Sequence, residues 1–381
     1  MISLEGITAR FGMLLFTVAI SFMAASCGGG EDVETAAEAP AEAAIDVIEP
    51  RLSIGVELGD SAYMFSSIET AIYDANGNIA VLDMGTANVR IYSPQGQFLR
   101  SIGRRGNGPG EFQRPLGMVL LGSGSLAVMD PWGEGFTEIG PDYEQKGVLL
   151  DIHSNVHIGM CSADSTDIVA LRVSPAEGAG EPMPMTVGLY QLSTEPVVEY
   201  WRRDYTVNSP EDVAGAMRDF VNISWTADPA SGEVYIAPYE ENAYLIRRYS
   251  PRGDLLGSVE MELESVPRSV AEMEEQAAYI RARLTALNGR DMGIDIEPYT
   301  DRRSVASLGV DGEGCLWVRR GTEDEAVLDR WTPGGELLGS YLVPGSDLFW
   351  EFSFCPRGIL AYNANPDEHQ RLFVMDYPAM P

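Results

Sequence analysis

The chain has 381 residues and a formal net charge of −31, from 57 acidic and 26 basic side chains. A negative surface of that size repels nucleic acid and anionic lipid headgroups, so neither is an expected partner. It also suits a protein that must stay soluble in a salty medium.

Residues 1–27 carry an apolar run from Phe11 to Ser26, shorter than the roughly 20 residues that span a bilayer. It ends in Ala24-Ala25-Ser26-Cys27, small residues before a cysteine. This resembles a lipoprotein export signal, although Arg10 is its only basic side chain and Glu5 opposes it. The resemblance implies cleavage before Cys27 and acylation of it, palmitate included. It also implies a lipid-anchored place in the cell envelope, at the outer membrane if the host is Gram-negative. An uncleaved anchor or a plain signal peptide would export the chain as well. Residues 28–50 are rich in Gly, Ala, Glu and Pro and have too little apolar surface to fold, so they read as a tether.

From 51 to 381 the composition changes to short strands between turn signals. Ile79 to Leu82, Val89 to Tyr92 and Phe98 to Ile102 are strand-length apolar runs separated by Asn76-Gly77, by Gly85 to Asn88 and by Pro94-Gln-Gly96. One turn recurs as Tyr92-Ser-Pro-Gln-Gly-Gln-Phe98, Tyr249-Ser-Pro-Arg-Gly-Asp-Leu255 and Trp331-Thr-Pro-Gly-Gly-Glu-Leu337. Proline presets φ at one turn position and glycine supplies positive φ at another. A second turn precedes each copy, so one period holds four strands, A to D. A period of roughly 40–50 residues with four strands predicts a β-propeller. Blades are expected to begin near Ile68, Leu116, Val156, Phe220, Ser304 and Phe352. The last lacks a fourth strand, which Leu52 to Leu58 can supply. The fold class is therefore all-β: a six-bladed β-propeller closed by its N-terminal strand.

The repeat resembles the NHL-type six-bladed propellers, most closely from Ile79 to Pro115. There Gly106-Asn-Gly-Pro-Gly-Glu-Phe112 resembles that family's loop between consecutive blades. A structural role is expected for it, with glycines for the turn and Phe112 as a wedge.

Two stretches break the strand pattern. Ser209-Pro-Glu-Asp starts a short helix between blades 3 and 4, and Ser269-Val-Ala-Glu272 is a capping box between blades 4 and 5. Val270, Met273, Ala277, Ile280, Leu284 and Leu287 then recur at helical spacing and predict a helix packed on the ring. Cys161, Cys315 and Cys355 fall in strands and are expected as buried thiols, with a Cys315–Cys355 bridge as the other option. His153, His157 and Cys161 mimic a metal series. On a strand, however, positions four apart are roughly 13 Å apart, while zinc ligands must lie within roughly 2.0–2.3 Å of the ion.

In a propeller the D–A and B–C loops share one face and the A–B and C–D turns the other. Both helices and the long loops fall in D–A and B–C slots, which makes that face the expected binding face. Its candidate residues are Asp83, Asn88, Arg104, Arg105, Arg114, Asp130, Trp132, Tyr239, Glu240, Arg319, Arg320 and Asn363. Arginines beside acids and aromatics suit an anionic ligand, and inter-blade ion pairs are their competing structural role. No catalytic motif appears, so no catalytic residue and no cofactor are assigned. The expectation is a non-catalytic scaffold, monomeric, that binds a protein, a peptide or a small anionic ligand. Its contact with the membrane would be through the lipid alone. The alternative is a lactonase or lyase using Ca2+ or another divalent cation, which Asp83, Asn88, Asp130 and Asn363 would have to hold at the channel mouth.

Overall fold

The computed structural model describes residues 45–150, 156–162, 167–174, 181–191, 195–206, 208–220, 222–238, 242–288, 291, 293–365 and 368–379. The candidates Cys27, Tyr239 and Glu240 lie outside these residues, as do the export signal and His153.

Six antiparallel sheets follow one another along the chain. Blade 1 is Ile68–Tyr73, Ile79–Asp83, Asn88–Tyr92 and Phe98–Ile102. Blade 2 is Gly117–Leu120, Leu126–Asp130, Gly135–Ile139 and Gln145–Leu150. Blade 3 is Val156–Ser162, Ile168–Val173, Pro182–Tyr190 and Val198–Thr206. Blade 4 is Ser224–Ala227, Val234–Ala237, Tyr244–Tyr249 and Leu255–Met261. Blade 5 is Val305–Val310, Leu316–Arg320, Ala326–Trp331 and Leu337–Val343. Blade 6 supplies Trp350–Cys355, Gly358–Asn363 and Leu372–Met375. Each A strand touches the A strands of both neighbours, and blade 6 touches blade 1, so the ring is closed.

The recurrent turn has a physical reason at each position. The Ser93 hydroxyl accepts from Gln97 N at 3.2 Å, Ser250 from Asp254 N at 3.1 Å and Thr332 from Glu336 N at 3.0 Å. The hydroxyl thus satisfies an N–H that the tight hairpin leaves over. Gly96, Gly253 and Gly335 hold φ of 82°, 90° and 86°, where a side chain would be strained.

The N-terminal strand closes the ring as expected but is shorter. Strand β2, Leu52–Ile54, pairs antiparallel with Leu372–Met375, and Ile54 is 2% exposed. The chain turns away at Gly55, and Leu58 stands in solvent. Residues 45–47, expected within the 28–50 tether, form a strand instead. Strand β1, Ile45–Val47, runs parallel to the outer strand of blade 5, with Ile45 opposite Ser340 and Val47 opposite Leu342. It makes blade 5 five-stranded and covers an edge that would otherwise be open.

The apolar core lies between blades. Phe112 is buried among Leu82, Ile91 and Ile102 of blade 1 and Met118, Leu126 and Ile139 of blade 2. It is the wedge the sequence suggests, and its burial contributes about 1.5–3 kcal/mol. Cys315 and Cys355 are free and buried.

Helices α1, Pro210–Phe220, and α2, Val270–Asn288, occupy the expected D–A slots. The capping box forms: Ser269 N donates to Glu272 Oε2 at 2.7 Å, and Glu272 N donates to Ser269 Oγ at 3.2 Å. Ile280 and Leu284 of α2 pack with Ala214 and Phe220 of α1 on the cores of blades 3 and 4. Val270 departs from the expected stripe. It sits in the first turn, before the helix reaches the core, and is exposed.

Candidate functional site

The channel opens at both ends. The mouth on the D–A and B–C side is a cavity of 570 Å3 whose lining includes Ser66, Ser67, Leu116, Phe220 and Arg303 from D–A loops and Tyr279 and Ala282 from α2. The opposite mouth, 510 Å3, meets the A–B turns at Gly122, Pro229 and Pro356 and is walled by Met118, Trp225, Phe352 and Phe354. Thr70, Trp225, Leu308 and Ser353 border both cavities and mark the waist.

Asp83 and Asp130 are not ligands-in-waiting. The Asp83 carboxylate accepts from Ser66 N and Ser67 N at 3.0 Å and from Thr86 N at 3.1 Å, and it pairs with Arg90 at 3.2 Å. Asp130 repeats the arrangement one blade on, accepting from Gln113 N, Arg114 N and Gly133 N. Each aspartate ends strand B and latches the incoming D–A loop to its own B–C turn. Both are at most 1% exposed, so these bonds occupy their oxygens out of reach of solvent.

Several other candidates are also structural. Asn88 accepts from the Thr86 hydroxyl at 3.0 Å. Asn363 accepts from Arg371 N at 2.6 Å and donates to His369 O at 3.2 Å, fixing the B–C loop of blade 6. Arg105 donates to the carbonyls of Met84, Gly85 and Gln113, tying the interblade loop to blade 1. Arg104 lies in solvent against Glu111, whose carboxyl is held below the usual range by Gly108 N and by Arg104. Arg114 stacks on Trp132 at 5.6 Å. Arg320 grips Asp329 with two bonds of 2.8 Å, and Tyr244 of blade 4 donates to the same carboxylate at 2.9 Å. Arg320 is therefore structural, but its ion pair lies within blade 5, and the Tyr244 hydroxyl is what links that carboxylate to blade 4.

Arg319 differs. It is 2% exposed, donates to Trp350 O and Asp347 O, and stacks on Phe352 at 5.4 Å. Among the described residues, its Nε has no hydrogen-bond partner. A buried, unmatched donor of this kind costs about 1–3 kcal/mol. Burial pushes the Arg319 pKa down to about 10; Glu351 works against the shift and Arg303 with it. Arg268 is also pushed down to about 10, by burial and then by Arg303. Arg303 is lowered by burial, again against Glu351. These side chains, with Gln276 of α2, surround a cavity of 120 Å3 beside the mouth.

Of the named candidates, then, only Arg319 belongs to this cluster. Arg268, Gln276, Arg303 and Glu351 were not singled out from sequence. They come from three separate segments, and no local motif joins them. Among the described residues, the converging group of metal-type side chains is Asp311, Glu313 and Cys315 in an A–B turn. Asp311 there is bound by Arg330 at 2.7 Å, Trp317 Nε1 at 2.9 Å and Cys315 N at 2.9 Å. A cation would have to displace a buried arginine, so this group does not fit a metal well.

A family described as a 6-bladed beta-propeller (DUF5128) matches residues 62–130. No curated protein matches the chain. Among solved structures, the chain is similar to a calcium-binding protein, regucalcin, from Agrobacterium tumefaciens, at 11% identity and a TM-score of 0.44. That match covers 89% of this chain and 99% of the other. It is similar to a gluconolactonase from Xanthomonas campestris at 11% identity and TM-score 0.46, covering 86% and 98%. It is similar to virginiamycin B lyase from Staphylococcus aureus at 9% identity and TM-score 0.42, covering 86% and 99%. The chain is a six-bladed β-propeller of four-stranded blades.

Proposed function

We propose that this chain is an exported, lipid-anchored propeller of NHL-like repeats that holds a small ligand at the α2-side mouth without turning it over. The observation that carries the reading is the 570 Å3 cavity itself. Ser66, Ser67, Thr70, Ser224 and Ser307 line it, a helical insertion contributes Tyr279 and Ala282, and Arg303 adds a guanidinium. A concave, mixed polar and apolar site of this size suits a small molecule better than a protein surface. The metal-dependent alternative draws no support from Asp83, Asn88, Asp130 or Asn363, whose oxygens are engaged within the protein. Cys27 would supply the anchor. One acyl chain binds a membrane only marginally and two or more bind firmly.

The binding test is a thermal-shift screen of small molecules on the full chain. Hits that stabilise the wild type should lose their effect in the mouth-filling Ser307→Trp and keep it in Arg252→Ala, on the opposite face. Equal loss in both variants would contradict the reading. Calcium-dependent opening of a lactone, abolished by Glu351→Gln, would establish the enzyme instead. For the anchor, Cys27→Ser should move the protein from the membrane to the soluble fraction.

A further inference from the structure

The 570 Å3 mouth and the 120 Å3 side pocket share Tyr279, Arg303, Ala306, Glu351 and Ala364, so they are two parts of one site. The side pocket lies against the N-terminal half of α2, which contributes Glu272, Glu275, Gln276 and Tyr279. Its lining also holds Arg268, Arg302, Arg303 and Arg319. Arg302 and Glu272 close on each other at 2.6 Å. Arg302 is also held by Asp324 at 2.8 Å. Arg268, Arg303 and Arg319 thus gather beside Glu275 and Glu351 inside a molecule of net charge −31.

Among the described residues, two buried polar atoms of this side-pocket lining make no hydrogen bond: Arg319 Nε and Gln276 Oε1. The first needs an acceptor and the second a donor. Arg319 cannot turn to find one, because Trp350 O and Asp347 O hold its other two nitrogens and Phe352 lies against its plane. A ligand carrying a carboxylate with a hydrogen-bond donor beside it would satisfy both atoms in the presence of three guanidiniums.

We propose that the side pocket recognises the head of an organic acid whose carboxylate has an adjacent hydroxyl or N–H. The carboxylate meets Arg319, with Arg303 and Arg268 around it, and the donor meets Gln276. The body of the acid extends into the mouth along Tyr279 and Phe220. This rests on the mouth being the binding site and adds the chemistry of the ligand. The low local dielectric strengthens such a pair relative to water, and screening confines the repulsion from the acidic surface to about 8–10 Å.

The test titrates the full chain with 3-phenyllactate by ligand-observed NMR, beside 3-phenylpropionate, which lacks the donor, and 3-phenyllactamide, which lacks the charge. Phenyllactate is expected to bind best. Arg319→Met and Arg268→Gln should each weaken it by about tenfold. Gln276→Leu should erase the advantage of phenyllactate over phenylpropionate, and Arg252→Ala should change nothing. Arg268→Gln decides the matter if Arg319→Met does not fold. Phenyllactate binding Arg268→Gln and wild type equally overturns the proposal, as does inorganic phosphate displacing it at equal concentration. If the amide binds as well as the acid and only Ser307→Trp abolishes both, the pocket chemistry is wrong while the mouth reading stands. No binding of any of the three probes overturns the pocket, and the thermal-shift screen then judges the mouth separately.

Discussion

Blades 1 and 2 treat their polar side chains in the opposite way from the junction where the insertion between blades 4 and 5 meets blades 5 and 6. In the first region Asp83 and Asp130 each collect three backbone N–H groups, and Arg90 is paired and bonded. At the junction Arg319 keeps an unmatched Nε and shares a small cavity with Arg268 and Arg303. Both regions use charged residues at the ends of strands on the same face. The first is closed on itself and serves the fold. The second is left incomplete, which costs stability and offers a ligand something to bind.

The comparison can be broken at the ring itself, where the largest effect is expected. A chain lacking everything up to Ile54 loses the fourth strand of blade 6 and the buried Ile54. Stability should fall by about 4 kcal/mol or more, or folding should fail, as read by chemical denaturation. A chain starting at Ile48 loses only β1, whose Ile45 and Val47 are exposed. An equal loss from the two truncations would show that β1, and not β2, closes the structure.

Next come the latches. Asp83→Ala strands three N–H groups and leaves Arg90 uncompensated, so it should cost about 3 kcal/mol. Asp130→Ala strands two N–H groups, Gln113 N and Arg114 N, since Gly133 N keeps the Asp130 carbonyl at 3.0 Å, and should cost about 2 kcal/mol. Asp130→Ala should leave ligand affinity unchanged, because its partners lie outside the mouth lining.

Alkaline pH separates the regions on a smaller scale. Burial pushes Tyr92 and Tyr235 up to about 12. An unfolded phenol loses its proton near 10, so between about 10 and 12 the folded state holds more protons and stability falls as pH rises. Tyr92→Phe should flatten that fall by up to roughly 2 kcal/mol. Burial pushes Arg268 and Arg319 downward, yet a guanidinium keeps its charge in a folded protein, so acid binding at the pocket should hold from about pH 7 to 9.

What could be read from the chain follows the same division. The blades were legible because their turns are local: hydroxyl, Pro and Gly within five residues fix a hairpin whatever surrounds it. Strand β1 was not, since Ile45–Val47 is too short for a period and pairs with residues near 340. Asp83 and Asp130 looked like ligands because an aspartate at a strand end is ambiguous until its N–H partners are known. Arg319 was named for its place on the loop face, but its adjoining Arg320 looked the same. Only the fold shows that Asp329 answers one and not the other. The pocket joins residues 268–279, 302–321 and 348–351, and sequence has no marker for such a meeting.

The most direct test measures stability and 3-phenyllactate affinity side by side for Asp130→Ala and Arg319→Met. Arg319→Met gives up two hydrogen bonds but also a buried N–H that has no partner among the described residues, so its stability should stay within about 1 kcal/mol of wild type. The account predicts that Asp130→Ala loses stability and keeps affinity, while Arg319→Met keeps stability and loses affinity by about tenfold. Wild-type affinity in Arg319→Met, or loss of affinity in a folded Asp130→Ala, would contradict it.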